Sequence, residues 1–268
     1  MSKFKNTVLH ADKEAEKTRK YNMLNEDIWS FIRVVFFSGV ILLSNIHEVN
    51  AKTNYEALHI NHDVIAKYES GDKGYEAIAK DNYSGHSYGK WQISTYRKNG
   101  KSSTFDYFLK YAKENDVELY NILEKAGGYK AAYRGDKLFT KVWLNLASNK
   151  KFQNLYDNFI LNTQIVPVYR RLDDTHDARL DRVTTWGSSN DAVQAAIKSI
   201  IIQHGCGGAY RMINTVMDTH NPKTEEDFLN RLYSLRISKF PLYVGRYKAE
   251  HKELKQILIA HKQNNKII

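Results

Sequence analysis

Tyr68-Glu69-Ser70-Gly71 and, further on, Ser87-Tyr88-Gly89-Lys90-Trp91-Gln92-Ile93-Ser94 bracket the stretch whose reading decides the fold of this chain. Ahead of it, Asn61-His62-Asp63 offers N-cap side chains, and Val64, Ile65 and Tyr68 share one helical face. Ser70-Gly71 stops that helix, which leaves Glu69 at its carboxyl end. There the macrodipole places partial negative charge beside the side chain, disfavouring a carboxylate and favouring the protonated acid. An aromatic neighbour such as Tyr68 works in the same direction, so Glu69 reads as a proton donor. A turn-rich segment follows, with Asp72, Asp81, Asn82, Ser84, Gly85 and Gly89, and then Tyr88, Trp91 and Gln92. A proton donor, a second carboxylate (Asp81) and an aromatic-polar groove wall are the parts that glycoside cleavage requires.

These residues resemble the lysozyme-like superfamily, especially goose-type lysozymes and lytic transglycosylases. In those, Glu-Ser closes a helix and a Tyr-Gly-x-x-Gln-Ile-like segment follows; here Glu69 and Gln92 stand 23 positions apart. The pattern Glu-Ser-Gly, then Ser-Tyr-Gly-x-x-Gln, is similar to that of lysozyme-like domains in phage-tail and secretion-spike proteins. Those domains also carry a later Gln-His-Gly and a Tyr-x-x-Arg, matched by Gln203-His204-Gly205 and Tyr233-Ser234-Leu235-Arg236. The resemblance implies Glu69 as general acid, Asp81 as its partner, and Ser70, Tyr88, Gly89, Trp91, Gln92, Tyr233 and Arg236 as substrate contacts. Trp91 serves a core equally well. Tyr233 and Arg236, one helical turn apart, either complete the cleft or buttress it, and so do Tyr243, Arg246 and Tyr247. Asp72, Glu76 and Asp106 are other sources of the second carboxylate. Where goose-type lysozymes place an acid after the Gln-Ile segment, Ser94 stands here, which leaves hydrolysis and transglycosylation both open.

The composition bounds the partners. A chain of 268 residues with a formal charge of +10 needs an acidic counterpart: nucleic acid, an anionic membrane surface, or bacterial wall. No nucleic-acid motif is present and charge alone does not choose among these; peptidoglycan or a related glycan is the partner that the resemblance implies. Cys206 is the only cysteine, which excludes an internal disulfide. It reads as a packing residue, with a thiol nucleophile beside His204 as the sharper alternative. His59-Ile60-Asn61-His62 has a ligand-like spacing but no third partner, so no metal or cofactor is expected.

Periodicity then orders the chain. Residues 1–22 are charged; Val34 to Ile46 is an apolar run of 13 residues, short of a bilayer span. With Val49-Asn50-Ala51 as a cleavage site it suits an export signal; counted from Ile28 to Ile46 it suits a membrane anchor. Either sends the body out of the cytoplasm. Helices are expected from Thr104, over Val117–Ala126, from Asp136, and from Phe152 until Pro167 interrupts. Another, capped by Asp191, carries Val193, Ala196, Ile197, Ile200 and Ile201 at core spacing. Thr224-Glu225-Glu226-Asp227 begins a helix reaching Phe240, and a last one runs from Tyr243 to about His261. The expectation is an all-α, lysozyme-like domain over residues 52–268 with a small β-like or loop insertion at 75–95, preceded by a signal or anchor in residues 1–51. Its expected activity is cleavage of peptidoglycan glycan strands. The alternatives are a chitosanase-like hydrolase, which a basic body suits poorly, and a non-catalytic wall-binding module of a secretion or phage-tail assembly.

Overall fold

A computed structural model describes Leu58 and residues 63–80, 85–97 and 99–264. The signal or anchor segment, the His59–His62 spacing and Asp81 lie outside the described residues. Among the described residues no helix is long and apolar enough to cross a membrane.

The fold is all-α with one small sheet. Helix α1 (Asp63–Ser70) runs into a 3-10 segment, Gly71–Glu76. Three short antiparallel strands follow: β1 (Ile78–Lys80), β2 (His86–Tyr88) and β3 (Ile93–Ser94), in that order across the sheet. Ile78 pairs with Tyr88, and Tyr88 with Ile93, which sets the apolar side chains of all three strands on one face. After the sheet come α2 (Thr104–Asn115), α3 (Val117–Lys125), α4 (Gly128–Arg134), α5 (Lys137–Ala147) and α6 (Lys150–Ile160), and Tyr88 packs on Phe105 of α2 and on Phe139 and Trp143 of α5. Tyr88, Phe105, Phe108, Phe139, Trp143 and Phe152 are fully buried there, ring against ring at centroid spacings of 5.0–6.5 Å.

The expected break near Pro167 takes the form of a π turn, Leu161–Ile165, after which α7 (Val166–Asp173) resumes with Pro167 in its first turn. There the missing N–H of proline costs no helical bond. The remaining helices are α8 (Ala178–Ser189), α9 (Asp191–His220), α10 (Glu225–Lys239) and α11 (Val244–Asn264), with a 3-10 turn, Pro241–Tyr243, between the last two. Helix α9 is the central core helix, and Val193, Ala196, Ile197, Ile200 and Ile201 are all buried. Its cap is Asn190 rather than Asp191: the Asn190 side chain accepts from the backbone N–H groups of Ala192 and Val193. Gly205, at φ 59° and ψ −171°, interrupts α9 with a conformation open to glycine alone.

Helices α1 and α11 lie antiparallel. Lys67 and Tyr68 both reach Glu253, whereas Glu69 reaches Arg246, about two turns earlier on α11. The carboxyl end of α1 therefore sits beside the beginning of α11.

Candidate active site

Glu69 occupies the last turn of α1, as the Ser70-Gly71 stop requires. The Ser70 hydroxyl turns back to the Ala66 carbonyl at 2.9 Å, and Gly71 leaves the helix at φ 61°. The carboxylate of Glu69 is largely enclosed and takes a charged hydrogen bond from Arg246 Nη2. The expectation names the helix end and Tyr68 as the surroundings of this acid; the structure adds a guanidinium from the far end of the chain.

Arg246 is one link in a chain of alternating charges. Its Nε lies 3.6 Å from Glu250 Oε2, and Glu250 Oε1 takes a bond from Arg236 Nη1 at 3.0 Å. Glu250 and Arg236 are both fully buried. The Tyr233 hydroxyl also donates to Glu250, and Arg236 donates to Ser199 Oγ at 3.0 Å and Gln203 Oε1 at 2.7 Å. The Arg236 guanidinium lies over the Tyr247 ring at 4.2 Å. Burial alone pushes the Glu250 carboxyl up, but Arg236 and Arg246 outweigh it and hold its pKa below the usual value. Burial likewise opposes the charge on Arg246; Glu69 and Glu250 reverse that and raise its pKa. The chain is a charged brace that fixes where Arg246, and through it Glu69, can stand.

The segment between β2 and β3 is held by a second buried network. Tyr156 Oη donates to the Tyr88 carbonyl at 2.9 Å and accepts from Trp91 N at 3.1 Å. A Cβ on Gly89 would stand 2.7 Å from the Tyr156 ring, so only glycine lets the strand end approach so closely. Next to Tyr156, Asp157 accepts from Trp91 Nε1 at 3.2 Å and from the Tyr75 hydroxyl. Lys90 lies over the rings of Tyr75 and Trp91 at 5.6 and 5.2 Å. Burial raises the Asp157 pKa despite these bonds. Lys198, fully buried on α9 and bonded to Gln194 Oε1 at 2.8 Å, feels Asp157; burial pushes its pKa down to about 7.

This geometry reassigns several expected substrate contacts. Tyr88 and Trp91 are buried, stacked or bonded from behind, and Gly89 is buried against Tyr156, so these three support the wall instead of facing a sugar. Tyr233 and Arg236 are fully buried and act as the buttress under Arg246. Ser70 and Gln92 remain partly exposed; the Gln92 amide donates to the Gly89 carbonyl at 2.9 Å from a residue held at φ 50°. Asp106 is committed elsewhere, capping α2 through Ser103 and pairing with Arg97, whereas Asp72 and Glu76 are exposed. The Cys206–His204 pair does not form a nucleophile. Burial pushes the Cys206 thiol up to about 11 and the His204 imidazole down to about 3. The thiol turns to the Gln164 carbonyl at 3.3 Å, and the imidazole stacks on Phe240 at 4.4 Å.

The sequence offers Arg246, with Tyr243 and Tyr247, as a residue that completes the cleft or buttresses it, and the structure sets it on Glu69; the sequence does not point to Glu250 or Asp157. Glu250 is four residues after Arg246 on α11, a spacing that signals an ion pair once a helix is assumed. Among the described residues no cluster of side chains suits a metal ion.

No curated protein sequence matches the chain. A solved GH46 chitosanase from Gynuella sunshinyii, in complex with chitotetraose, aligns over 81% of this chain and 91% of its own, at 15% identity and a TM-score of 0.48. The model of one family, described as type VI secretion system spike protein VgrG3-like, C-terminal, matches residues 62–263. That match takes in Glu69, the sheet, the central helix and Arg246, and the chain belongs to this family of spike-protein C-terminal domains.

Proposed function

We propose that the domain is a peptidoglycan-cleaving glycosidase in which Glu69 acts as general acid. The observation that carries this reading is the placement of Glu69: a carboxylate at a helix end, aligned by a buried brace. A brace of two arginines and a buried glutamate is costly to desolvate. It serves a purpose if it sets the position of one carboxylate to within the tolerance that proton transfer demands. Glu69 is assigned to deliver the proton to the glycosidic oxygen, with Arg246 holding its carboxyl group in line. Asp81 is assigned to position water or to stabilise the oxocarbenium-like transition state; a muramyl 6-hydroxyl attack would replace it in a transglycosylase. The family affiliation supports a place on a secretion spike, and the basic body supports an anionic wall as substrate. The apolar run at residues 34–46 supports an extracytoplasmic site of action.

The ion pair itself favours a second reading, in which Glu69 is structural and the domain only binds wall. Digestion of purified peptidoglycan followed by mass spectrometry of the soluble products separates the two. Disaccharide muropeptides are expected: reducing-end species that disappear in Asp81→Asn indicate hydrolysis, and anhydro species that persist in it indicate transglycosylation. Free stem peptides, or no soluble product from folded protein, would contradict a glycosidase.

A further inference from the structure

The turn between α10 and α11, Pro241–Tyr243, exposes three apolar residues in succession. Leu242 is 84% exposed, more than any other large hydrophobic side chain among the described residues, and Tyr243 is 36% exposed. A single exposed leucine carries no meaning, but an exposed apolar step beside a candidate catalytic group does. The antiparallel contact of α1 and α11 puts this turn at the carboxyl end of α1, where Glu69 stands. Tyr243 ends the 3-10 turn three residues before Arg246, and its ring meets that of Tyr247, the residue next to Arg246.

The turn is also stiffly backed. Phe240, just before it, stacks on the buried His204 ring at 4.4 Å and 16°. Tyr243 leans on Tyr247 at 6.0 Å, and Tyr247 is fully buried under the Arg236 guanidinium. An exposed ring with a fixed orientation loses little entropy when a flat apolar partner lands on it. The C–H face of a pyranose is such a partner, and the neutral Pro-Leu-Tyr step has no charge with which to hold a phosphate or a peptide.

Resting on the glycosidase reading above, we infer that Leu242 and Tyr243 form a sugar-stacking subsite. It seats a pyranose ring of the glycan strand next to the residue cleaved at Glu69. The aromatic face of Tyr243 supplies the contact, its hydroxyl is dispensable, and Leu242 flanks the same ring.

The test uses the full chain in the Glu69→Gln background, with soluble, peptide-free glycan strands from peptidoglycan as the probe in isothermal titration. Tyr243→Ala is expected to weaken binding about tenfold. Tyr243→Phe is expected to bind like its parent, and Leu242→Ser to lose about threefold. With Glu69 intact, Tyr243→Ala is expected to raise KM with little change in kcat. Both positions are at the surface, and circular dichroism checks that each variant folds. Unchanged affinity in Tyr243→Ala, equal losses in the Ala and Phe variants, or no glycan binding by the parent would each overturn the subsite. A Glu69→Gln protein that still cleaves wall would instead overturn the catalytic assignment alone, because the binding measurements stand apart from turnover.

Discussion

Two buried charge networks flank the candidate site, and they solve the problem of burial in opposite ways. Under Glu69, the Glu250 carboxylate is completely enclosed yet held in its charged form by Arg236 and Arg246. Behind the sheet, Asp157 receives hydrogen bonds from Tyr75 and Trp91, both neutral, and its pKa rises. Lys198 nearby moves down, to about 7. A carboxylate braced by guanidiniums is a fixed charge; one bonded by a phenol and an indole tolerates neutralisation. The difference assigns the first network to aligning a reactive group and the second to joining sheet and helices.

Removal of one partner from the brace should do the most damage. Glu250→Ala leaves Arg236 buried without its counter-charge, and a loss of about 3–5 kcal/mol in unfolding free energy is expected from urea titration. Were the loss below about 1 kcal/mol, the brace would be no more than a packing contact and the contrast between the networks would fall. Arg246→Leu should cost less stability than Glu250→Ala, because Arg236 still pairs with Glu250 and the Glu69 carboxylate keeps some access to water, and should show chiefly in turnover. Loss of one charged hydrogen bond, about 1.5–3 kcal/mol, corresponds to about a 10–100-fold slower release of soluble wall fragments. Full activity in this variant would detach Glu69 from the brace.

The two networks should also separate by pH. The depressed Glu250 pKa contributes stability that is present above its unfolded value of 4.5 and is lost as pH falls through the folded one. Lys198 acts in another window. Its folded pKa of about 7 lies below the unfolded 10.5, so between those values the unfolded chain binds the extra proton and stability rises with pH. The slope expected from this lysine is about 1 kcal/mol per pH unit, and Lys198→Met should flatten it in unfolding curves taken from pH 7 to 10. Identical slopes in wild type and variant would show that Lys198 remains charged.

The smallest effect is expected at Asp157→Asn. An amide keeps an acceptor for Trp91 Nε1 and turns its NH2 toward the Tyr75 oxygen, so a cost of about 1 kcal/mol is expected in the same titration. A loss as large as that of Glu250→Ala would mean that Asp157 too is needed as a charge.

The sequence showed most of the frame and one end of the site. Glu69 was readable because a helix pattern, a Ser-Gly stop and a glycine-rich aromatic segment coincide within a short span. The core face of α9 is legible from its spacing, and 75–95 is legible from its turn residues as a small β-like or loop insertion, because these signals too are local. Helix α8 escaped notice because its buried face is Leu180, Val183, Thr184 and Gly187. That is a helical spacing in which two of four positions do not count as apolar, and Gly187 is there to admit the Tyr169 hydroxyl. Tyr88 and Trp91 were assigned to sugar contact since aromatic type alone does not tell a groove wall from the core behind it. The partnership of Glu69 with Arg246 joins residues 177 positions apart, and no periodicity carries that. Asp157 reads as a solvent-facing position between Leu155 and Phe159; only the tertiary approach of Tyr75 and Trp91 turns it inward.

The account rests on Glu69 as the proton donor, and one measurement addresses it directly: release of soluble muropeptides from purified peptidoglycan by wild type and Glu69→Gln, side by side. Expected is a loss of at least about 10²–10⁴-fold in Glu69→Gln, with unchanged circular dichroism and equal sedimentation with the insoluble wall. Comparable release by the two proteins would remove Glu69 from the chemistry and leave the brace without a catalytic purpose.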